Sequence, residues 1–279
     1  MNSHAPARRA PRGFSLVEMT AALAIAAMLL GGLYSLVSQT NILRDATEAE
    51  NRTALALQEV MERIVRHIGG SRLLIQPSKS GVRNLLAVSL PASVDRDGDG
   101  FADADNDKDG LLDEDRSADL AKDGKPGIRG IDDDGDGSID ESSILTHDDD
   151  EDGTINEDGL NLHDDDGDGA IDEDYGSLVA VDDDGDGSTD EDWIDPVVYY
   201  LSGASLVERL PVPWDVDGSG GVTGVDYVEN TVLSGVTLFE VQREDLAGHK
   251  VLVHVRLIAM DTQLQVHELS TAVLIGSRQ

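Results

Sequence analysis

Cysteine is absent from the 279-residue sequence, which excludes disulfide bonds and thiolate metal sites. Aromatic residues are scarce at 4%, and basic residues are few: 21 Lys and Arg stand against 56 Asp and Glu, a formal net charge of −35. Such a negative surface argues against nucleic acid and anionic lipid as partners and makes cations the expected ligands. No H-E-x-x-H, P-loop or G-x-S-x-G motif occurs, so no enzymatic activity is predicted.

The negative charge is concentrated in residues 95–195, which hold 34 Asp and 6 Glu against 6 Lys and Arg, a net charge of −34. The rest of the chain is therefore close to neutral. This distribution predicts one folded domain, built from residues 71–94 and 196–279, with residues 95–195 as a long acidic insertion.

The N-terminus combines a basic leader with a long apolar segment. Residues 1–13 carry three arginines and no acid, and Glu18 is the single charge in the apolar stretch 14–37. As a helix, this segment would span about 36 Å, enough to cross a hydrocarbon core of about 30 Å, with the basic leader on the cytoplasmic side. An ordinary cleaved signal peptide is the alternative. A carboxylate at the bilayer centre costs about 2.5–3.5 kcal/mol, however, so a carboxylate within a membrane-spanning segment usually has a function.

The string R-G-F-S-L-V-E-M at residues 12–19 resembles the class III signal of type IV pilins and type II secretion pseudopilins. The resemblance implies that a prepilin peptidase cleaves after Gly13 and methylates the new N-terminal residue, Phe14. It also implies that Glu18 pairs with the α-amino group of a neighbouring subunit during filament assembly, since a buried carboxylate needs a partner. The implied partners are other pilins or pseudopilins. The implied location is the bacterial inner membrane, with a periplasmic C-terminal domain that enters a periplasmic pseudopilus or an extracellular pilus.

Residues 14–70 are predicted to form one transmembrane and stem helix. Between residues 42 and 68, apolar side chains recur at three- and four-residue steps, the pattern of an amphipathic helix, and Gly69 and Gly70 mark its end. His67 in the last turn is expected to favour the helix dipole. Seven apolar runs separated by turn residues predict strands at 72–76, 85–90, 197–201, 206–210, 236–243, 250–259 and 264–274.

A helix followed by sequential strands indicates an α+β fold in which the stem helix packs on an antiparallel β-sheet. Continuity of the sheet across the insertion requires residues 90 and 197 to lie close together. The layout is similar to that of J-type minor pseudopilins and PilW-type minor pilins, in which a strand like 197–201 precedes a closing hairpin.

Six segments of the insertion share the pattern D-x-D-x-D-G, beginning at residues 95, 105, 132, 148, 164 and 182, with an acid or Asn at position 9. Oxygens at positions 1, 3 and 5 converge on one hard cation, and the glycine at position 6 permits a sharp turn. The predicted Ca²⁺ ligands are Asp95, Asp97, Asp99 and Asp103; Asp105, Asp107, Asp109 and Asp113; Asp132, Asp134, Asp136 and Asp140; Asp148, Asp150, Asp152 and Asn156; Asp164, Asp166, Asp168 and Asp172; and Asp182, Asp184, Asp186 and Asp190.

The loops depart from the EF-hand pattern, because none has a Glu at position 12 and no long amphipathic helix flanks them. They look more like the calcium-wrapped repeats of thrombospondin type 3 segments. An apolar residue at position 8, Leu112 in the second loop, is expected to pack against a partner loop. A seventh candidate at residues 215–226 resembles a dockerin-type loop, with Asp215, Asp217, Ser219 and Asp226 as predicted ligands.

The same composition is also typical of a disordered acidic spacer. The loop pattern favours folding coupled to calcium, with dissociation constants of about 10⁻⁴–10⁻³ M. The resulting functional prediction is a minor pilin or pseudopilin stabilised by calcium. The alternative is a calcium-dependent adhesin or binding module displayed on a pilus-like filament, whereas a hydrolase anchored by the helix has no residue support.

Overall fold

The computed structural model describes residues 15–77, 81–113, 121–122, 127–132, 139, 192–247 and 250–276. The chain divides into two compact units, Met1–Asn51 and Arg52–Gln279. The predicted processing residues Gly13 and Phe14 lie outside the described residues. So do the predicted ligands of the last three insertion loops and, in the third loop, every predicted ligand except Asp132.

The described residues of the first unit belong to helix α1 (Leu16–Gly70), which ends at the predicted glycine pair. Its stretch Leu16–Asn41 is strongly apolar, and none of its side chains is buried. By length and composition this stretch can cross a membrane.

The second unit contains two antiparallel sheets where the sequence predicted one. In chain order the strands are β1 (Leu74–Gln76), β2 (Gly81–Arg83), β3 (Leu85–Ser89), β4 (Pro196–Ser202), β5 (Ser205–Pro211), β6 (Tyr227–Ser234), β7 (Val236–Leu246), β8 (Lys250–Met260) and β9 (Val266–Gly276). Sheet A has the order β1-β3-β4-β5-β6, and sheet B has the order β2-β7-β8-β9. A helix with antiparallel sheets confirms the α+β class.

The sequence missed two strands, β2 and β6, and both lie at the edges of their sheets. β2 is only three residues long, and β6 buries a single side chain, that of Leu233. Edge strands with few buried side chains lack the apolar alternation that identifies a strand in sequence.

The C-terminal part of α1 supplies one wall of the main hydrophobic core. Leu57, Val60, Ile64 and Ile68, which recur at helical spacing, pack with inward side chains of both sheets. Strand β8 alternates buried and less buried positions, so one face of sheet B covers this core. The helix therefore packs on the sheets as predicted.

The insertion leaves and re-enters the fold at two paired neighbouring strands. Ser89 at the end of β3 pairs with Pro196 at the start of β4, and the N–H of Leu90 donates to the carbonyl of Asp195 at 2.9 Å. This confirms the expected proximity of residues 90 and 197. A surface connection between two paired strands accommodates a long insertion without breaking the sheet.

Part of the insertion belongs to the folded body. Ile128, Ile131 and Ile194 form a second core cluster with side chains of β1, β3 and β4 on the opposite face of sheet A. The Nη1 group of Arg209 donates to the carbonyl of Arg129 at 2.7 Å and holds this segment against β5. Strand β3 is buried along its whole length as a result.

Candidate functional sites

The first turn of α1 carries a reciprocal hydrogen-bonded pair. The N–H of Ser15 donates to Oε2 of Glu18 at 2.8 Å, and the N–H of Glu18 donates to Oγ of Ser15 at 3.2 Å. This is a capping box, which satisfies two N–H groups that have no partner within the helix. The carboxylate of the predicted assembly residue, Glu18, is exposed at the start of the helix.

Three of the predicted loops, starting at Asp95, Asp105 and Asp215, are described and share one backbone conformation. At position 6, the glycines Gly100, Gly110 and Gly220 have φ of 98°, 96° and 101°. At position 4, Gly98, Lys108 and Gly218 have φ of 75°, 70° and 78°. Left-handed φ at position 6 explains why each loop has glycine there. The left-handed turn at position 4 was not predicted, since one loop has lysine at that position.

The carboxylates at positions 1, 3 and 5 come together in the first two loops. One oxygen from each of Asp95, Asp97 and Asp99 lies within 4.8 Å of the others, and the same holds for Asp105, Asp107 and Asp109. In the loop at Asp215, one oxygen from each of Asp215, Asp217 and Asp226 forms the equivalent group. Oxygen clusters of this size suit a hard divalent cation such as Ca²⁺.

Backbone N–H groups orient these carboxylates from within each loop. In the loop at Asp215, the N–H groups of Gly218 and Gly220 donate to the two oxygens of Asp215 at 2.5 and 2.8 Å. The hydrogen bond from Gly220 is the main reason why the pKa of Asp215 lies below its ordinary value. Ser219 uses its hydroxyl to donate to the carbonyl of Gly221 at 3.1 Å.

The first loop is partly neutralised by basic side chains. The Lys108 ammonium pairs with Asp99 and holds the pKa of that carboxyl below its usual range. Asp103, the predicted position-9 ligand, forms an ion pair with the guanidinium of Arg96. The backbone N–H of Arg96 also donates to Asp103, at 2.7 Å. Two protein cations therefore act on the carboxylates of the first loop.

The second loop is the most buried of the three. Asp105 is 5% exposed, and its Oδ1 accepts no hydrogen bond from any described residue. Burial raises the pKa of Asp107 above its ordinary value, and the neighbouring carboxylates act in the same direction. Asp113 at position 9 is also buried, in a left-handed conformation with φ of 52°. Leu112 is partly buried and packs against the main core.

Residues beyond the predicted ligand set complete the surroundings of the second loop. The amide of Asn106 donates to Asp195 Oδ2 and to the carbonyl of Trp193, both at 3.1 Å. Burial raises the pKa of Asp195 to about 7. A cavity of about 230 Å³ lies between the first two loops and residues 213–222, and Trp193 lines it. Sequence reasoning missed this contribution of residues 192–195, because only the fold brings them to the second loop.

His67 makes a contact that the sequence did not predict. Its Nδ1 lies 2.8 Å from the Tyr199 hydroxyl, and burial lowers its pKa below the ordinary value. The expected interaction of His67 with the helix dipole stays a prediction.

Comparison with known proteins identifies the N-terminal feature. Residues 8–34 match the family model described as the prokaryotic N-terminal methylation motif. No curated protein and no solved structure matches the chain. The motif supports a type IV pilin-like protein that is a substrate of prepilin peptidase, and it points to a structural subunit rather than an enzyme. With the apolar helix Leu16–Asn41, it fits a membrane-anchored pilin that assembles with other pilins.

Proposed function

We propose that this protein is a minor pilin or pseudopilin, a subunit of a type IV pilus or a type II secretion pseudopilus, processed after Gly13 and stabilised by calcium. The observation that carries the proposal is the methylation motif at residues 8–34, followed by an apolar helix that continues into a stem packed on a β-domain. A single helix with an apolar first part and an amphipathic second part suits a subunit that moves from the membrane into a filament core. The domain is then carried on the periplasmic side of the inner membrane.

Processing is tested by co-expressing the full chain with a prepilin peptidase and measuring the mass and sequence of the mature N-terminus. The expected product begins with N-methylated Phe14. Gly13→Leu is the matched control, and it should accumulate as the uncleaved precursor. A mature chain that begins near residue 27 would instead indicate an ordinary signal peptide.

Glu18 supports assembly through its position in the first turn. The carboxylate that accepts the N–H of Ser15 lies near the new N-terminus that processing would create. An α-amino group from a neighbouring subunit would neutralise it in an apolar surrounding. Glu18→Gln keeps the side-chain shape and removes the charge, so we expect normal processing with reduced filament incorporation.

Calcium binding is supported by the three oxygen clusters and by the buried Oδ1 of Asp105. Each bound ion would relieve repulsion between carboxylates that the loop backbone holds together. Limited proteolysis and circular dichroism of the full chain, in millimolar calcium and in chelator, test this. Protection of residues 95–195 by calcium is expected, and equal cleavage in both conditions would return the insertion to the spacer interpretation.

A calcium-dependent adhesin on a pilus-like filament is the second candidate, favoured by the size and charge of the insertion. Ile128, Ile131 and Ile194 belong to the folded body, so an informative deletion must spare them. Replacing residues 133–191 by a Gly-Ser linker meets this condition. Intact filaments or secretion with lost attachment would select the adhesin, whereas failed assembly would favour a stabilising role.

A further inference from the structure

In each of the loops at Asp95, Asp105 and Asp215, the backbone N–H at position 2 donates to a carboxylate that lies outside the first six positions of the loop. The N–H of Arg96 donates to Asp103 at 2.7 Å, and the N–H of Val216 donates to Asp226 at 2.6 Å. In the second loop, the N–H of Asn106 donates to Oδ1 of Asp192 at 2.7 Å. The three acids occupy the same place in the loop although their distances along the chain differ.

The loop at Asp215 shows what a carboxylate in this place can do. Asp226 accepts the N–H of Val216 and also contributes an oxygen to the cluster with Asp215 and Asp217. In this loop, the acid that accepts the position-2 N–H therefore also lies at the cation site. In the first loop the equivalent acid, Asp103, is paired with Arg96.

The second loop combines this arrangement with an unsatisfied group. Asp105 Oδ1 is buried and accepts no hydrogen bond from the described residues, while Oδ2 accepts the N–H of Gly110 at 3.1 Å. A buried carboxylate oxygen without a donor costs free energy that a bound cation would recover. This observation is independent of the spacing of the acids and points to a ligand at the loop.

We propose that Asp192 is the closing carboxylate of a Ca²⁺ site formed with Asp105, Asp107 and Asp109, an inference that rests on the proposed calcium role. One ion then joins the beginning of the insertion to its end, across 86 residues of sequence. Asp192 is 1% exposed and lies four residues before β4, which pairs with β3. A cation that closes so long a loop restricts the unfolded chain and fixes the base of the insertion on sheet A.

The two tryptophans of the chain allow the calcium sites near Trp193, which include this site and the predicted loop at Asp182, to be observed separately from the loop at Asp215. Trp193 follows Asp192 and lines the same cavity as Asp105, whereas Trp214 directly precedes the loop at Asp215. In the full chain in detergent, Trp214→Phe leaves Trp193 as the sensitiser of Tb³⁺ luminescence, and Trp193→Phe leaves Trp214. Displacement of Tb³⁺ by Ca²⁺ then gives the calcium affinity at each reporter.

Asp192→Asn tests the proposal because an amide oxygen can still accept the N–H of Asn106 while the charge is lost. We expect Asp192→Asn to weaken binding at the Trp193 reporter at least tenfold and to leave the Trp214 reporter unchanged. Asp226→Asn is the matched control and should give the opposite pattern. The unchanged Trp214 titration also shows that the Asp192 variant is folded.

Equal affinity of Asp192→Asn and its parent at the Trp193 reporter would overturn the proposal while leaving calcium binding intact. Absence of a Ca²⁺-displaceable signal at both reporters in the parent proteins would instead overturn the calcium part of the proposed function, and the Asp192 site with it. The two failures are therefore distinct.

Discussion

The Tyr199 hydroxyl lies 2.8 Å from Nδ1 of His67 and thereby joins the last turn of α1 to a central strand of sheet A. The same hydroxyl donates to Oε1 of Glu208 at 2.5 Å, and Arg63 from the helix donates to Oε2 at 3.1 Å. Since the Tyr199 proton goes to Glu208, the imidazole donates from Nδ1 to the hydroxyl oxygen. The helix is therefore attached to the sheet by polar contacts as well as by the apolar core.

Tyr199→Phe is expected to lower the free energy of unfolding by about 1–3 kcal/mol, because it leaves the buried Glu208 without one donor and His67 without its acceptor. Tyr200→Phe is the matched control, since that hydroxyl bonds to the more exposed Glu229, and its cost should stay below about 1 kcal/mol. Thermal and chemical unfolding followed by circular dichroism measures both. Equal losses would show that the buried network is not the stabilising feature.

His67 should make stability depend on pH near neutrality. Burial lowers its pKa in the folded state, so the unfolded state binds the proton more readily. The contribution of the buried His67 imidazole to the free energy of unfolding is complete above the unfolded-state pKa of about 6.5. It is lost as the pH falls below that value. His67→Gln should remove this contribution, so the unfolding free energy should rise less from about pH 5.5 to about pH 7.5 than in the parent. A variant with the parent's slope would exclude His67 as the titrating group.

Gly224 should tolerate no side chain, because a Cβ there would lie 1.6 Å from the carbonyl oxygen of Ala121. Gly224→Ala must displace the insertion segment at Ala121, at a cost of about 1–3 kcal/mol. Gly221→Ala meets no atom within 4 Å and serves as the control. Limited proteolysis should cut the Gly224 variant faster within residues 113–132, and identical digestion of both variants would contradict this packing.

Ile128→Ala should destabilise the domain by about 2–5 kcal/mol, since the side chain is buried in the second core cluster. Ile139→Ala changes a side chain that is 57% exposed and should change stability by less than about 0.5 kcal/mol. The comparison uses one chemical change at two positions of the insertion. If both variants unfold at the parent's temperature, the insertion does not contribute to the core.

Lys108 should oppose calcium binding in the first loop because its ammonium pairs with Asp99. Lys108→Gly removes that charge and suits the left-handed φ of 70° at this position. We expect tighter calcium binding by isothermal titration, whereas Lys108→Arg, which retains the charge, should bind as the parent does. A weaker affinity of the glycine variant would mean that Lys108 supports the loop rather than competing with the ion.

The sequence by itself determined the features that depend on neighbouring residues. The apolar span and the methylation motif are contiguous, and within the loops N–H groups donate to carboxylates two to five residues away. The recurrence of glycine at position 6 therefore predicted a backbone that Gly100, Gly110 and Gly220 share. Hydrophobic periodicity likewise located the helix and strands such as β8, which bury one face, and a continuous apolar run located the fully buried β3.

Only the tertiary structure decided which distant groups meet. Asp192 reaches the second loop because β3 and β4 pair and bring the two ends of the insertion together. Ile128 packs in a core cluster on one face of sheet A, and the pKa of His67 is lowered because the fold buries its imidazole. Such contacts join residues far apart in the chain, so no local pattern of charge or hydrophobicity predicts them. The physical reason is that packing, rather than spacing, selects the partner of a buried polar group.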